Sequence, residues 1–415
     1  MLDFSTVIFY MIMFLSAYIQ VFFLVTFLEN RKKIIRRKGS VELISYPSTT
    51  VIVPCWNEES TIDRTVSSLL DLDYPKDKLT IFIVDDGSTD NTWNVLQKYT
   101  EHFNIKIFHK ENDGGKYAAV NYGLARATSE FIGCLDADSF VDKYALKRIM
   151  TYFAKDESVM AVAPAIIVDS PKNILQNAQR AEYDFGVFLK KMLGFMGAIH
   201  VLPGPFSIFR KKVFDELGPY RHAHNTEDAE IALRMQEHHY KIEHCPDAYV
   251  YTVTPNTVKK LYKQRLRWIY GFLKNATDYK HLIFNKRYGA IGIFTIPAGL
   301  LSILTVVYLF VSMVYDLGSN IFHKFVQIQT VGLNLSVQVP SFDWFFISTK
   351  SIMFITVIFY VLLILSMMIS KKIIEGKARL SFDVVYFAFL SSILAPFWLT
   401  VAVYNTIVSK SVSWR

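Results

Sequence analysis

Four apolar runs, at residues 6–28, 291–314, 352–369 and 384–408, set the first limit on what this chain can fold into. The 23 residues of the first extend about 34 Å as a helix, enough to cross a hydrocarbon layer about 30 Å thick. The composition of 52% hydrophobic and 15% aromatic residues exceeds ordinary globular usage, and the excess sits at the two ends. No basic residue precedes the first run and no small-residue cleavage site follows it. Arg31, Lys32, Lys33, Arg36, Arg37 and Lys38 come directly after, so the run reads as a retained anchor whose C-terminal side is cytoplasmic.

The later runs then pass outward, inward and outward. Lys371, Lys372, Lys377 and Arg379 fall on the cytoplasmic side, and the weakly charged loop 316–348 falls outside. Residues 326–346 are apolar enough to lie in an interface. The net charge of +8 borders the apolar runs, where it suits anionic lipid; no basic and aromatic groove signals nucleic acid, which is excluded as a partner. Three widely spaced cysteines, Cys55, Cys134 and Cys245, lack metal spacing and read as reduced packing residues.

Between the runs, short strands and helices alternate. Strands are expected over 49–53, 79–84, 105–108 and 131–135, and helices over 59–70, 116–127 and after a turn at residues 85–88 that Asp90 or Thr92 can cap. Such alternation is the pattern of an α/β fold with an open, mostly parallel sheet, which binds ligands at the carboxyl ends of its strands. The expected division is a membrane helix over 1–30, a cytosolic domain over 46–255, an interfacial helical segment over 256–285 and a membrane region over 288–415.

The strand ends carry the chemistry. The run FIGCLDADSF at 131–140 stops abruptly at Asp136 and Asp138, and strand alternation sends positions i and i+2 to one side. Two converging carboxylates repel unless a cation lies between them, and a hard divalent ion carrying a diphosphate satisfies both. Trp56 offers a flat apolar face beside Glu58, Asp86 can accept from a base or ribose donor, and Gly114, Gly115 and Lys116 place close backbone and a cation at a helix start, where phosphate is favoured. Each residue has a plainer alternative: a solvated Asp turn, an Asp-Gly turn, a core tryptophan, a first-turn lysine.

Taken together, PCWNE, IVDDGSTDNT, GGKYAAVNYG and CLDADS resemble, in order and spacing, the motifs of family 2 glycosyltransferases of the GT-A fold. Thr226, Glu227 and Asp228 are similar to the TED motif, and residues 264–268 (QRLRW) to the QxxRW motif, of the processive synthases of cellulose, hyaluronan and poly-N-acetylglucosamine. The resemblance implies a GT-A domain, a mostly parallel mixed sheet with helices on both faces, flanked by transmembrane helices. It further implies that Trp56, Glu58, Asp86, Lys116, Asp136 and Arg267 hold a UDP-sugar and that Asp138 binds Mg²⁺ or Mn²⁺. Asp228 would act as general base, with Glu227 and Asp136 in the catalytic group.

Gln264, Trp268 and Gly204 would meet the acceptor, although Pro203 stands where related synthases have a small serine. The indole of Trp268 is otherwise an interfacial anchor. No counterpart of the FxVTxK gating loop or of a PilZ-like tail is found, which points away from regulated bacterial cellulose synthesis. The implied function is a membrane-embedded inverting enzyme that extends a β-linked polysaccharide from UDP-N-acetylglucosamine, with an accessory membrane subunit as a possible partner. Two other readings stay open: a single-addition transferase acting on a glycolipid acceptor, and a transporter or scaffold with an inactive nucleotide-binding domain. The near absence of charge within the spans argues against a transporter.

Overall fold

The computed structural model describes residues 4–34, 39–112, 114–331 and 351–410. Its helices are α1 Phe4–Asn30, α2 Ile62–Leu70, α3 Thr92–Leu96, α4 Lys116–Leu124, α5 Ala145–Lys155, α6 Ile174–Phe195, α7 Lys212–Leu217, α8 Glu227–Glu237, α9 Val258–Asp278, α10 Ile296–Val331, α11 Ser351–Glu375 and α12 Phe382–Ile407. Its strands are β1 Thr49–Cys55, β2 Leu79–Asp85, β3 Ile105–His109, β4 Phe131–Cys134, β5 Ser139–Val141, β6 Val159–Val168, β7 Ile208–Arg210 and β8 Lys241–Thr252.

The strands form one sheet of eight in the order β3-β2-β1-β4-β7-β6-β8-β5. β3, β2, β1 and β4 run parallel, β7 is antiparallel to both its neighbours, β6 and β8 are parallel, and β5 closes the edge antiparallel to β8. The sheet is therefore mixed, with the expected parallel half carrying the first three motifs. Alternation along each strand feeds two cores. Val51, Val53, Ile81 and Ile83 pack against α2 and α5, while Ile52, Phe82 and Val84 face α4. Strand order reverses at β1 and β4, and a crevice opens there beyond the strand ends.

Among the described residues, four helices are long and apolar enough to cross a membrane. The segment 316–331, expected as loop, continues α10 as helix to Val331. At 36 residues this helix reaches about 54 Å, well beyond a hydrocarbon core, and its last turns are exposed. Residues 332–348 of the expected loop, and Arg36, Arg37 and Lys38, lie outside the described residues. The expected helix over 59–70 begins at Ile62, because residues 56–61 are held in a loop against the β2–α3 turn.

Two helices join the sheet domain to the spans. α9 packs Leu261 against Ile303 of α10 and Trp398 and Leu399 of α12. α6 packs Phe188 and Met192 near Ile373 and Ile374 of α11. Lys371, expected among the anchoring surface charges, is instead 1% exposed. Its ammonium lies 2.6 Å from both Asp184 of α6 and Asp383 of α12. Arg180 approaches Asp383 at 3.5 Å and Glu375 at 3.8 Å. A buried lysine needs such partners, and its first partner lies 187 positions away, beyond any local pattern. Lys371→Met should cost about 3–5 kcal/mol by stranding two buried carboxylates, read as a lowered melting temperature in detergent. Adding Asp184→Leu should return part of the loss, since Asp383 keeps Arg180.

Candidate active site

The loop after β1 is tied down first. Asn57 takes φ 55°, a left-handed conformation costly for a residue with a side chain. Its Oδ1 accepts from the backbone N–H of Thr89 at 2.7 Å, and the Thr92 hydroxyl accepts from Glu58 N–H at 2.8 Å. Asp90 in turn accepts from Thr92 N–H at 3.0 Å, but the N-cap position of α3 is Asn91, which makes no side-chain capping bond, rather than the expected Asp90 or Thr92. These bonds present Trp56 and Glu58 to the crevice.

The acids after β4 converge by a different device from the one expected. The strand ends at Cys134, and residues 135–138 form a tight turn closed by Ser139 N–H donating to Asp136 O at 3.0 Å. Both Asp136 and Asp138 still line the crevice, but the turn rather than strand pleating aims them.

The crevice has a volume of about 480 Å³ and is bordered by Trp56, Glu58, Asp86, Lys116, Asp136 and Asp138, whereas Gly114 and Thr226 do not line it. Gly204, Glu227, Asp228, Gln264, Arg267 and Trp268 complete that set. Asp85 does not border it; its carboxylate turns inward to accept from Ser88 N–H at 3.2 Å and to meet His109 Nδ1 at 2.7 Å. Asp86 faces the crevice with Lys110 Nζ 2.7 Å from its Oδ1. Lys116 is no solvated first-turn residue: its side chain is 17% exposed and its ammonium lies 2.6 Å from Asp136 and 3.2 Å from Glu227.

Gly204 lies against that ion pair. A Cβ there would come within 2.5 Å of Lys116 Nζ and 3.1 Å of Asp136 Oδ1, so only glycine fits with the pair intact. On the other side α9 is locked to the start of α8. Asn275 Nδ2 donates to Thr226 Oγ1 at 2.9 Å, and Arg267 donates to Asn225 O at 3.0 Å. At Gly271 any side chain would collide with Thr226. The QxxRW helix is thereby held at a fixed distance from Glu227 and Asp228.

The charge balance decides what this crevice can hold. Among the described residues it is bordered by six carboxylates, Glu58, Asp86, Asp136, Asp138, Glu227 and Asp228, and two cations, Lys116 and Arg267. Burial, then Asp136 and Glu58, push the Asp138 carboxyl up to about 7. Burial, then Glu227, push Asp228 up to about 6. Burial acts on Glu227 in the same direction, but Lys116 outweighs it and holds that carboxyl below its ordinary value. Although burial pulls Lys116 down, Asp136 and Glu227 hold its ammonium well above the ordinary lysine value.

A diphosphate alone is repelled by such a surface; a diphosphate that arrives with a divalent cation is not. The oxygen donors suit Mg²⁺ or Mn²⁺. Such ions are commonly held by one or two protein carboxylates together with the substrate's own oxygens. Lys110 and Tyr183 were not legible as site residues: one precedes the glycine pair without a motif of its own, and the other sits on α6, which no motif marks.

Acids gathered at the switch point of a mixed sheet, with a basic, aromatic helix across the opening, lie where open α/β sheets bind their ligands. Residues 50–218 match the model of Glycosyl transferase family 2. It is 29% identical, over 91% of its length and 89% of the relative's, to the poly-β-1,6-N-acetyl-D-glucosamine synthase of Staphylococcus epidermidis. A second synthase of that name and species is 31% identical over 65% of each chain. In fold the chain is similar to a mannosyltransferase from Pyrobaculum calidifontis, solved with GDP-Man and Mn²⁺, at a TM-score of 0.56 and 17% identity over 96% of this chain and 98% of that one.

The raised Asp138 carboxyl makes its charge a burden on the folded state. Folding favours the protonated form, so the penalty is fully present above about pH 7 and fades as pH falls towards the unfolded value near 4. In chelator, Asp138→Asn should therefore be more stable than wild type at pH 8, by about 1–3 kcal/mol. The difference in melting temperature should shrink below pH 7.

Proposed function

We propose that this chain is a membrane-embedded, inverting glycosyltransferase that extends a β-linked polysaccharide from a UDP-sugar, with UDP-N-acetylglucosamine as donor. The observation that carries this reading is the acidic crevice bordered jointly by the strand-end carboxylates and by Gln264, Arg267 and Trp268 of the membrane-packed helix α9. The relatives support it: the Staphylococcus epidermidis protein aligned over most of both chains is a poly-β-1,6-N-acetyl-D-glucosamine synthase. Residues 46–255 would form the cytosolic domain, where nucleotide sugars are made, and the spans would carry a polar chain outward that lipid alone excludes.

Within this reading Trp56 stacks on uracil, and Asp86, its carboxylate oriented by Lys110, accepts from the base. Asp138, with Asp136 beside it, would hold Mg²⁺ or Mn²⁺, which neutralises the charge gathering on the diphosphate when bound. Lys116 and Arg267 bring their own positive charge to the same end of the bond that breaks. The Asp228 carboxylate takes the acceptor hydroxyl's proton as its oxygen attacks the anomeric carbon and UDP departs. One displacement inverts that carbon, so an α-linked donor yields a β-linkage. Glu227 remains ionised beside Lys116 and keeps that ammonium in place. Trp268 offers its face to the acceptor sugar, with Gln264 one turn back.

Purified protein given UDP-N-acetylglucosamine with Mg²⁺ or Mn²⁺ should release UDP and form polymer, seen as a ladder on a gel; a single glycolipid band would replace this reading with the single-addition one. Asp228→Asn should lower kcat by about 10³-fold or more and leave UDP affinity within a factor of about three. The wild-type rate should fall as pH drops through about 6, because the base is then protonated. A pH-independent rate between 5 and 8 contradicts the assignment of Asp228.

A further inference from the structure

A second cavity of about 330 Å³ adjoins the crevice. Asp228 and Trp268 border both spaces, whereas Asp86, Lys116, Asp136 and Asp138 border only the first. The second space therefore meets the proposed base from a direction away from the nucleotide. Its walls are mainly apolar, with the rings of Tyr183, Trp268 and Phe272 among them.

Three features of these walls point to a ligand. Lys190 on α6 borders the cavity, and its ammonium has no hydrogen-bond or ion-pair partner among the described residues. Burial pulls that ammonium down to about 8, and Asp228 is the charge that acts against the pull. His244, which also borders the cavity, is fully buried, with the backbone of Pro164 as the polar neighbour of its ring. Burial, then Lys190, hold that imidazole well below its ordinary value and so neutral. Gly186, one turn before Lys190, lies within the continuous 22-residue helix α6, where glycine weakens the helix relative to alanine. No neighbour demands it: a Cβ at Gly186 would meet nothing within 4 Å. The glycine leaves room that the protein itself does not fill.

Aromatic faces, an unpaired donor and a polar imidazole in a small apolar space are the chemistry of a sugar site, since a pyranose stacks its C–H face and offers oxygens at its rim. We propose that this cavity receives the saccharide carrying the acceptor hydroxyl, and that Lys190 donates to one of its oxygens and so positions the hydroxyl against Asp228. The proposal rests on the glycosyltransferase reading above. Lys190 is a positioning residue in it: its hydrogen bond fixes which hydroxyl meets the base, and Gly186 keeps the space open.

The test uses the full-length protein in detergent with UDP-N-acetylglucosamine as donor and a β-linked N-acetylglucosamine tetrasaccharide as acceptor. Lys190→Met should raise the KM for the tetrasaccharide about tenfold or more, as expected for loss of a charged hydrogen bond, and leave UDP affinity unchanged. Lys190→Arg should recover part of the loss. Gly186→Leu, which places a side chain there without a clash at Cβ, should likewise raise the acceptor KM at unchanged UDP affinity and with no fall in melting temperature. Unchanged acceptor KM in both Lys190→Met and Gly186→Leu overturns the proposal, as does a fall in UDP affinity that parallels the loss. A wild-type protein that releases no UDP from the donor overturns the reading beneath, and that failure is visible before any variant is made.

Discussion

One ammonium ties the catalytic end of the molecule together. Lys116 starts α4, Asp136 follows β4 and Glu227 starts α8, and their charges meet within 2.6 and 3.2 Å in a crevice that otherwise holds an excess of carboxylates. Three elements distant in sequence are thereby drawn to one point. The loop that covers the pair can approach only through Gly204, whose missing side chain leaves the ion pair its space. Without that ammonium, the buried Glu227 and the partly exposed Asp136 would lie near each other as like charges, an arrangement that proteins avoid unless a cation intervenes. Of the remaining acids Asp86 has Lys110 beside it, whereas Asp138 faces Asp136 and Glu58 with its carboxyl pushed up.

The same end of the domain is built onto the membrane helices. α9 carries Gln264, Arg267 and Trp268 to the crevice on one face and packs on α10 and α12 with the other, while Asn275 and Gly271 fix it against Thr226. α6 is tied to α11 and α12 through the Lys371 cluster, and its other residues border the second cavity. The crevice and the long apolar helices are thus joined through two helices, α6 and α9.

Much of this was legible in the sequence because its signals are local. Apolar length marks the spans, alternation and β-branched runs mark the parallel half of the sheet, and the strand-end acids mark the crevice. The family resemblance supplied the roles of Asp228 and of residues 264–268, which spacing alone does not assign. What stayed hidden is non-local. Lys371 reads as one more anchoring charge until Asp184, 187 positions earlier, is seen against it. Lys110 acquires meaning only because β3 lies beside β2 and brings it to Asp86. The turn that aims Asp136 and Asp138 imitates the strand geometry expected of them, so the right residues were found for an incomplete reason. Segment 316–331 is helical because α10 simply continues, a choice that weak apolar periodicity does not reveal.

The central claim is that the crevice is electrostatically incomplete and is completed by a divalent ion and a nucleotide diphosphate together. The most direct measurement is the binding of Mn²⁺ to purified protein, followed by electron paramagnetic resonance, with and without UDP. The account predicts weak Mn²⁺ binding alone, tightening about tenfold or more with UDP, and loss of that coupling in Asp138→Ala. Mn²⁺ and UDP that bind with no effect on each other, or a coupling that survives in Asp138→Ala, would contradict it.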